Sequence, residues 1–177
     1  LYMKTIESLR HKLNKNAELS GLEKETNKII NKFLEKTNPD VHLRNVGGYG
    51  IIAIYKGVEE GKNILLRADI DGLNIPRECQ QYLGTGTGAG AGTGTGAENK
   101  VQGQSQSQFS HRCGHDGHAA ILCGVAMRLG KKRPAKGNVI LLFQPAEETG
   151  EGAKAVINDP KFQDLKIDTA YALHNLP

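Results

Sequence analysis

The chain has 177 residues, of which 38% are hydrophobic and 24% charged, and a formal net charge of +4. This is enough for one domain with a core of its own, in the composition range of a soluble globular protein. The charge is mild and scattered: its densest basic run, KKR at 131–133, is followed by Pro134 and reads as a solvated turn, and nine aromatics without a Trp offer no stacking platform, so nucleic acid is not an expected partner. In chain order, residues 3–36 carry Ile6, Leu9, Leu13 and then Ile29, Ile30, Phe33 and Leu34 at helical spacing. A break is expected near NAELSG (16–21), where Ser20 followed by Glu23 has the spacing of a capping box for a second helix. Pro39 closes this part. GIIAIY (50–55) and NILLRADI (63–70) are short apolar, β-branched runs, and KGVEEGK between them reads as a turn, which predicts a β-hairpin feeding a buried strand. Residues 115–129 form a helical stripe (Ala119, Ile121, Leu122, Val125, Ala126, Leu129) closed by Gly130. NVILLFQ (138–144) is a continuous apolar run, hence a buried strand. A further helix is expected from Glu151 to Asn158, ended before Pro160. DTAYALHNLP then reads as a strand ending at His174. Strand, helix, strand, helix, strand is an α/β pattern.

The cysteines, Cys79, Cys113 and Cys123, are too few and too irregularly spaced for a disulfide framework. LYMKTIESLRHKL is amphipathic and charged, unlike a signal peptide, and no run approaches the roughly 18 apolar residues of a membrane span. A cytoplasmic setting without membrane partners is therefore expected. Residues 84–108 do not fit the α/β pattern: GTGTGAGAGTGTG alternates seven glycines with Thr and Ala, and QGQSQSQ follows. Glycine at every second position lacks the Lys and the helix start of a phosphate loop and reads as a low-complexity loop inside the domain.

Four clusters carry chemistry. RADIDG (67–72) places Asp69 and Asp71 at the end of a buried strand. HRCGHDGH (111–118) opens a helix with Cys113, His115, Asp116 and His118. QPAEETGEG (144–152) sets Glu147 and Glu148 just past another strand, and ALHNLP sets His174 just past a third. Ligands of open α/β sheets bind at the carboxyl ends of the strands, so the four clusters are expected to share one rim. Thiolate, imidazole and carboxylate are the ligand types of a zinc-like ion, and adjacent acids can divide the work, one binding metal while the other holds a water. Taken singly, each element has a plainer reading: a polar strand end, a small buried thiol, a helix start favoured by the dipole, an ordinary histidine. His118 reads either as a second ligand or as a hydrogen-bonded helix histidine. A thiol enzyme with Cys113 as nucleophile and His115 or His118 as base is the competing chemistry.

RADIDGL, HRCGHDGHAAIL, VILLFQPAEETGEGA and ALHNLP, in this order, resemble the successive motifs of the metal-dependent N-acyl-amino-acid amidohydrolases. These are the hippurate hydrolase and auxin-conjugate hydrolase branch of the aminoacylase/carboxypeptidase clan, and AELSGLEKET near the start resembles the same branch. The resemblance implies a mixed twisted sheet flanked by helices, the catalytic domain of a zinc-peptidase-like hydrolase. Residues 1–177 would form its N-terminal part, without the family's lid and dimerisation domain and its last histidine ligand. It implies two divalent ions, Zn or Mn type with Ni or Co as alternatives, held by Cys113, His115, Glu148 and His174. It further implies Glu147 as the general base that activates a metal-bound water, Asp71 as an acid assisting beside the metal, and His118 and Asp116 as motif residues that are not ligands. The implied activity is hydrolysis of the amide bond of N-acyl amino acids or small peptides; the family usually forms homo-oligomers, through the lid and dimerisation domain, and for these residues the oligomeric state stays open. The alternative is a truncated metal-binding module without turnover, acting in binding or regulation. LNKNAE (13–18) departs from the family, which often has histidines in that stretch, and the glycine-rich tract is foreign to it.

Overall fold

The computed structural model describes residues 2–75 and 109–175; the low-complexity tract at 84–108 and Cys79 lie outside the described residues. Two helices come first, α1 (Tyr2–Lys15) and α2 (Lys24–Leu34), the latter continued by a 3₁₀ turn to Thr37. Five strands form the main sheet: β1 (Val41–Val46), β2 (Gly50–Lys56), β3 (Glu59–Asp69), β6 (Lys136–Gln144) and β7 (Thr169–Ala172). Between β3 and β6 lie a short antiparallel pair, β4 (Leu73–Asn74) with β5 (Phe109–Ser110), and the helix α3 (His115–Lys131). Two short helices, α4 (Glu151–Ile157) and α5 (Pro160–Gln163), precede β7.

The sheet order is β1-β2-β6-β3-β7, antiparallel from β1 to β6 and parallel from β6 to β7. It is the mixed α/β sheet expected, with one correction. β2 and β3 do not pair as a hairpin; β6 lies between them. Only Gly57 and Val58 separate β2 from β3, and they cross the start of β6, where a Cβ on Gly57 would lie 2.2 Å from the Gly137 carbonyl oxygen. NVILLFQ is apolar on both faces and gains most from the central position, flanked by a strand on each side. The hairpin that does form is β1–β2, turning at 47–49.

Strand alternation divides the core between two layers. Ile51, Ala53, Tyr55, Leu141 and Phe143 join Leu9, Leu13, Ile30 and Leu34 of the first two helices and Leu122 and Ala126 of α3. Ile52, Ile54, Ile140 and Leu142 point the other way, to Val156 of α4 and to Phe162 and Leu165. The sheet is thus covered on both faces at its centre, while the edge strand β7 stays largely exposed. No helix among the described residues is long and apolar enough to cross a membrane.

Parallel register brings the strand ends to one level. Asp69 pairs with Gln144, and Arg67 with Ala172. Asp69 is therefore level with His174, two residues beyond Ala172, and Glu147 and Glu148 follow within four residues of Gln144. The β4–β5 pair lays Ser110 beside Leu73, which delivers HRCGH to the same rim.

Candidate metal centre

His115 lies at the middle of the site and its side chain is 1% exposed. It is the first residue of α3, set by Gly114 in a left-handed turn (φ 84°). That positive φ is what favours glycine in the turn that separates Cys113 from His115. His115 Nδ1 is 2.9 Å from the Asp71 carbonyl oxygen and 3.1 Å from Asp71 Oδ1. Both are acceptors, so Nδ1 carries the proton and Nε2 presents its lone pair. His174 Nδ1 is likewise committed, 2.6 Å from the Asn175 carbonyl oxygen.

The two Nε2 atoms face each other at 3.3 Å. Around His115 Nε2 stand Asp69 Oδ2 at 3.6 Å and Glu147 Oε2 and Glu148 Oε1 at 3.7 Å each. His174 Nε2 lies 3.6 Å from Asp69 Oδ2 and 3.7 Å from Glu147 Oε1. Ligands about 2.1 Å from one tetrahedral ion are spaced about 3.4 Å apart. Asp69, His115, Glu147 and His174 form one group whose ligand atoms all lie within 4.8 Å of one another, and Cys113, His115 and Glu148 form a second. Two imidazole lone pairs turned at each other among carboxylates need a positive charge between them. The donor set, with nitrogen, oxygen and sulfur, fits borderline divalent ions.

The electrostatics follow from these contacts. Burial pushes the Asp71 carboxyl upward, but hydrogen bonds from His115, Ser20 Oγ and the Glu148 amide outweigh it and hold the group at about 2. Burial opposes a proton on His115, yet Asp71 and Asp69 raise its pKa above the usual histidine value. The Cys113 thiol, hydrogen-bonded to Glu148 and surrounded by carboxylates, is pushed up to about 11. That is the reverse of the lowered thiol pKa that a cysteine nucleophile requires, so the geometry disfavours the thiol-enzyme chemistry.

The sequence candidates Asp71, Cys113, His115, Glu147, Glu148 and His174 are thus brought to one rim. Asp116 is not: it faces α1 and accepts from Asn14 Nδ2 at 3.0 Å and Arg10 Nε at 3.3 Å. His118 is the hydrogen-bonded histidine of the two readings, its Nδ1 donating to Asp69 Oδ1 at 2.7 Å. Asp69 belongs to the RADIDG cluster expected at the rim, without a role of its own there; it is fully buried, takes Arg67 at 2.8 Å and reaches both Nε2 atoms. The signal was period-two spacing, which puts Arg67, Asp69 and Asp71 on one face of the strand. Ser20 does not cap α2. Glu18 does, accepting from the Thr26 and Glu25 amides at 2.9 and 3.1 Å, and Ser20 Oγ instead donates to Asp71 Oδ2 at 2.6 Å.

Fold and donor set together define a class: an α/β domain with a metal-ligand cluster at the carboxyl ends of its parallel strands. The chain belongs to peptidase family M20/M25/M40, whose family model matches residues 65–177. It is 34% identical to the N-acetylcysteine deacetylase of Bacillus subtilis over 96% of this chain and 40% of that protein. It is 32% identical to the hippurate hydrolase of Campylobacter jejuni over 97% of this chain and 39% of that protein. The crystal structure of the Bacillus subtilis YXEP protein, described as a dinuclear metal binding peptidase from the M20 family, superposes with a TM-score of 0.73. That match has 31% identity and covers 99% of this chain and 44% of that one. The chain thus spans about 40% of the length of the curated relatives it matches.

Proposed function

We propose that residues 1–177 form the N-terminal part of the catalytic domain of a metal-dependent amidohydrolase that cleaves the amide bond of N-acyl amino acids or small peptides. The observation that carries this reading is the buried His115, whose Nε2 is shared by both ligand groups and lies 3.7 Å from each acid of the Glu147–Glu148 pair. The substrate class is supported by relatives that bear the names N-acetylcysteine deacetylase and hippurate hydrolase. A pair of divalent ions, of Zn or Mn type or else Ni or Co, is supported by the dinuclear description of the YXEP protein and by the two overlapping donor groups. The lack of a disulfide spacing pattern supports a cytoplasmic setting.

In this reading Cys113, His115, Glu148 and His174 hold the ions, and Asp69, which the geometry adds, completes their surroundings. Bound there, divalent ions would lower the pKa of water and polarise the scissile carbonyl. Glu147 is the base: its carboxylate is the more exposed of the pair, 29% against 17%, and open to an incoming water. It takes the proton of the attacking water and returns it to the departing amine nitrogen. Asp71 holds the Nδ1 proton of His115 and so would leave the Nε2 lone pair available to hold an ion.

The test is Glu147→Gln, with metal content by elemental analysis and hydrolysis of N-acetyl- and N-benzoyl-amino acids measured on one sample. Metal content at the wild-type level with turnover down by about a hundredfold or more is expected. Normal turnover would remove Glu147 as the base. The second reading is a binding module without turnover; wild-type protein that binds metal and hydrolyses neither substrate would favour it over the first.

A further inference from the structure

The loop between α1 and α2 touches both acid-bearing strand ends. The Gly72 amide donates to the Glu18 carbonyl at 2.7 Å, and Leu19 pairs with Gly72 as a parallel bridge. Ser20 Oγ and the Glu148 amide share Asp71 Oδ2, at 2.6 and 3.0 Å. Glu23 is fully buried. Its Oε1 accepts from the Gly21 amide and from the Ala146 amide, both at 2.8 Å. Its Oε2 has no partner. Ala146 stands in the left-handed region (φ 49°) immediately before Glu147, a conformation that costs a non-glycine residue of order 1 kcal/mol and persists only where neighbours enforce it. The Glu23 carboxylate makes the hydrogen bond to that residue's amide.

We infer that residues 17–23 are a brace for the metal centre proposed above, in which Ser20 positions Asp71, and through it His115, while Glu23 positions the turn that aims Glu147. Neither residue belongs to either donor group; both act through the groups they hold. The brace connects a segment of sequence far from the ligands to two strands that do not adjoin it in the main sheet. It also explains a division of labour within the loop. Glu18 takes over the capping of α2, which leaves the Ser20 hydroxyl free for Asp71. Burial raises the Glu23 carboxyl above its usual range, so a glutamine, with the same Oε1 acceptor and no charge, is its nearest mimic.

The experiment uses the purified chain with Ser20→Ala, Ser20→Thr, Glu23→Ala and Glu23→Gln. Cobalt and zinc affinities are measured by calorimetry, and amide exchange over 145–149 by mass spectrometry on metal-free protein. Thermal unfolding of the metal-free forms serves as the control. Ser20→Ala is expected to weaken metal binding about tenfold, the usual effect of removing a partner of a ligand's support, with Ser20→Thr restoring it. Glu23→Ala is expected to speed exchange over 145–149 about tenfold while β6 stays protected, with Glu23→Gln restoring protection. Wild-type affinity in Ser20→Ala together with wild-type exchange in Glu23→Ala would overturn the brace. So would losses that follow a general fall in melting temperature and that Thr and Gln do not restore. If the wild-type chain binds no metal, the amidohydrolase reading fails on that result, and the exchange data from metal-free protein still decide the brace.

Discussion

Two acid pairs stand at neighbouring strand ends and are built in opposite ways. Asp69 and Asp71, at the end of β3, are fully buried, and each of their four carboxylate oxygens meets a donor: His118 and Arg67 for Asp69, His115 and Ser20 with the Glu148 amide for Asp71. Glu147 and Glu148, just past β6, are partly exposed and reach the histidines only at 3.7 Å. The first pair has its partners within the fold and is fixed by folding. The second is held by its backbone, through Ala146 and the Glu148 amide, while its carboxylates keep capacity in reserve for a ligand. Substitutions in the two pairs should therefore separate stability from binding.

The largest effect is expected at Asp69. Asp69→Ala leaves Arg67, 16% exposed, with only Gln144 Oε1 at 2.9 Å, and deprives the buried His118 of its partner. Removing one member of a buried ion pair costs about 3–5 kcal/mol, because the charge that remains is unpaired. Urea unfolding of metal-free protein measures this. A loss below about 1 kcal/mol would mean that Asp69 is no more anchored than the glutamates and would break the contrast.

Asp71→Asn comes next and carries a pH signature. The Asp71 carboxyl is lowered from 3.8 to about 2, which corresponds to roughly 2 kcal/mol of stability at 1.36 kcal/mol per unit. A depressed carboxyl contributes fully above its unfolded value and loses that contribution as pH falls through the folded one, here from about 4 towards 2. Part of the stabilisation comes from protonated His115, whose pKa is raised; that part is present at pH below the ordinary histidine value and is lost as pH rises through the raised one. The stability difference between wild type and Asp71→Asn should therefore peak between about pH 4 and pH 6.5 and shrink on either side. Melting curves in EDTA across pH 2–9 measure it, and a flat difference would remove the Asp71–His115 pair as its source.

The contrast between the pairs also marks what could be read from sequence. The helical and strand periodicities of α1–α3, β2 and β6 are local patterns and were legible, as was the convergence of RADIDG, HRCGHDGH, QPAEE and ALHNLP, because α/β sheets put such residues at one rim. The position of β6 between β2 and β3 was not. A central strand is chosen by competition for burial among non-adjacent runs, and adjacency in sequence favoured the hairpin. The partners of the aspartates were equally hidden. Asp69 gains its role from Arg67 and His118, and Asp71 from Ser20, 51 residues away. Ser20 and Glu23 have the spacing of a capping box, and nothing local says that Glu18 would cap the helix instead.

The smallest effect is expected at the glutamates, and it should reverse with metal. Glu147→Ala and Glu148→Ala each remove a partly exposed carboxylate from a crowd of like charges, so metal-free protein should change by less than about 1 kcal/mol, or about 3 °C in melting temperature. Added Zn or Mn at a hundred times its dissociation constant stabilises wild type by about 2.7 kcal/mol through binding to the native state alone. If Glu148 is a ligand and Glu147 the base, Glu147→Ala keeps most of that gain and Glu148→Ala loses most of it. Equal loss in both would make Glu147 a ligand as well, as its place in the group with Asp69, His115 and His174 allows. The base would then have to be sought elsewhere on the rim. Melting each variant with and without metal thus separates a frame that folding fixes from a pair whose contribution to stability depends on metal.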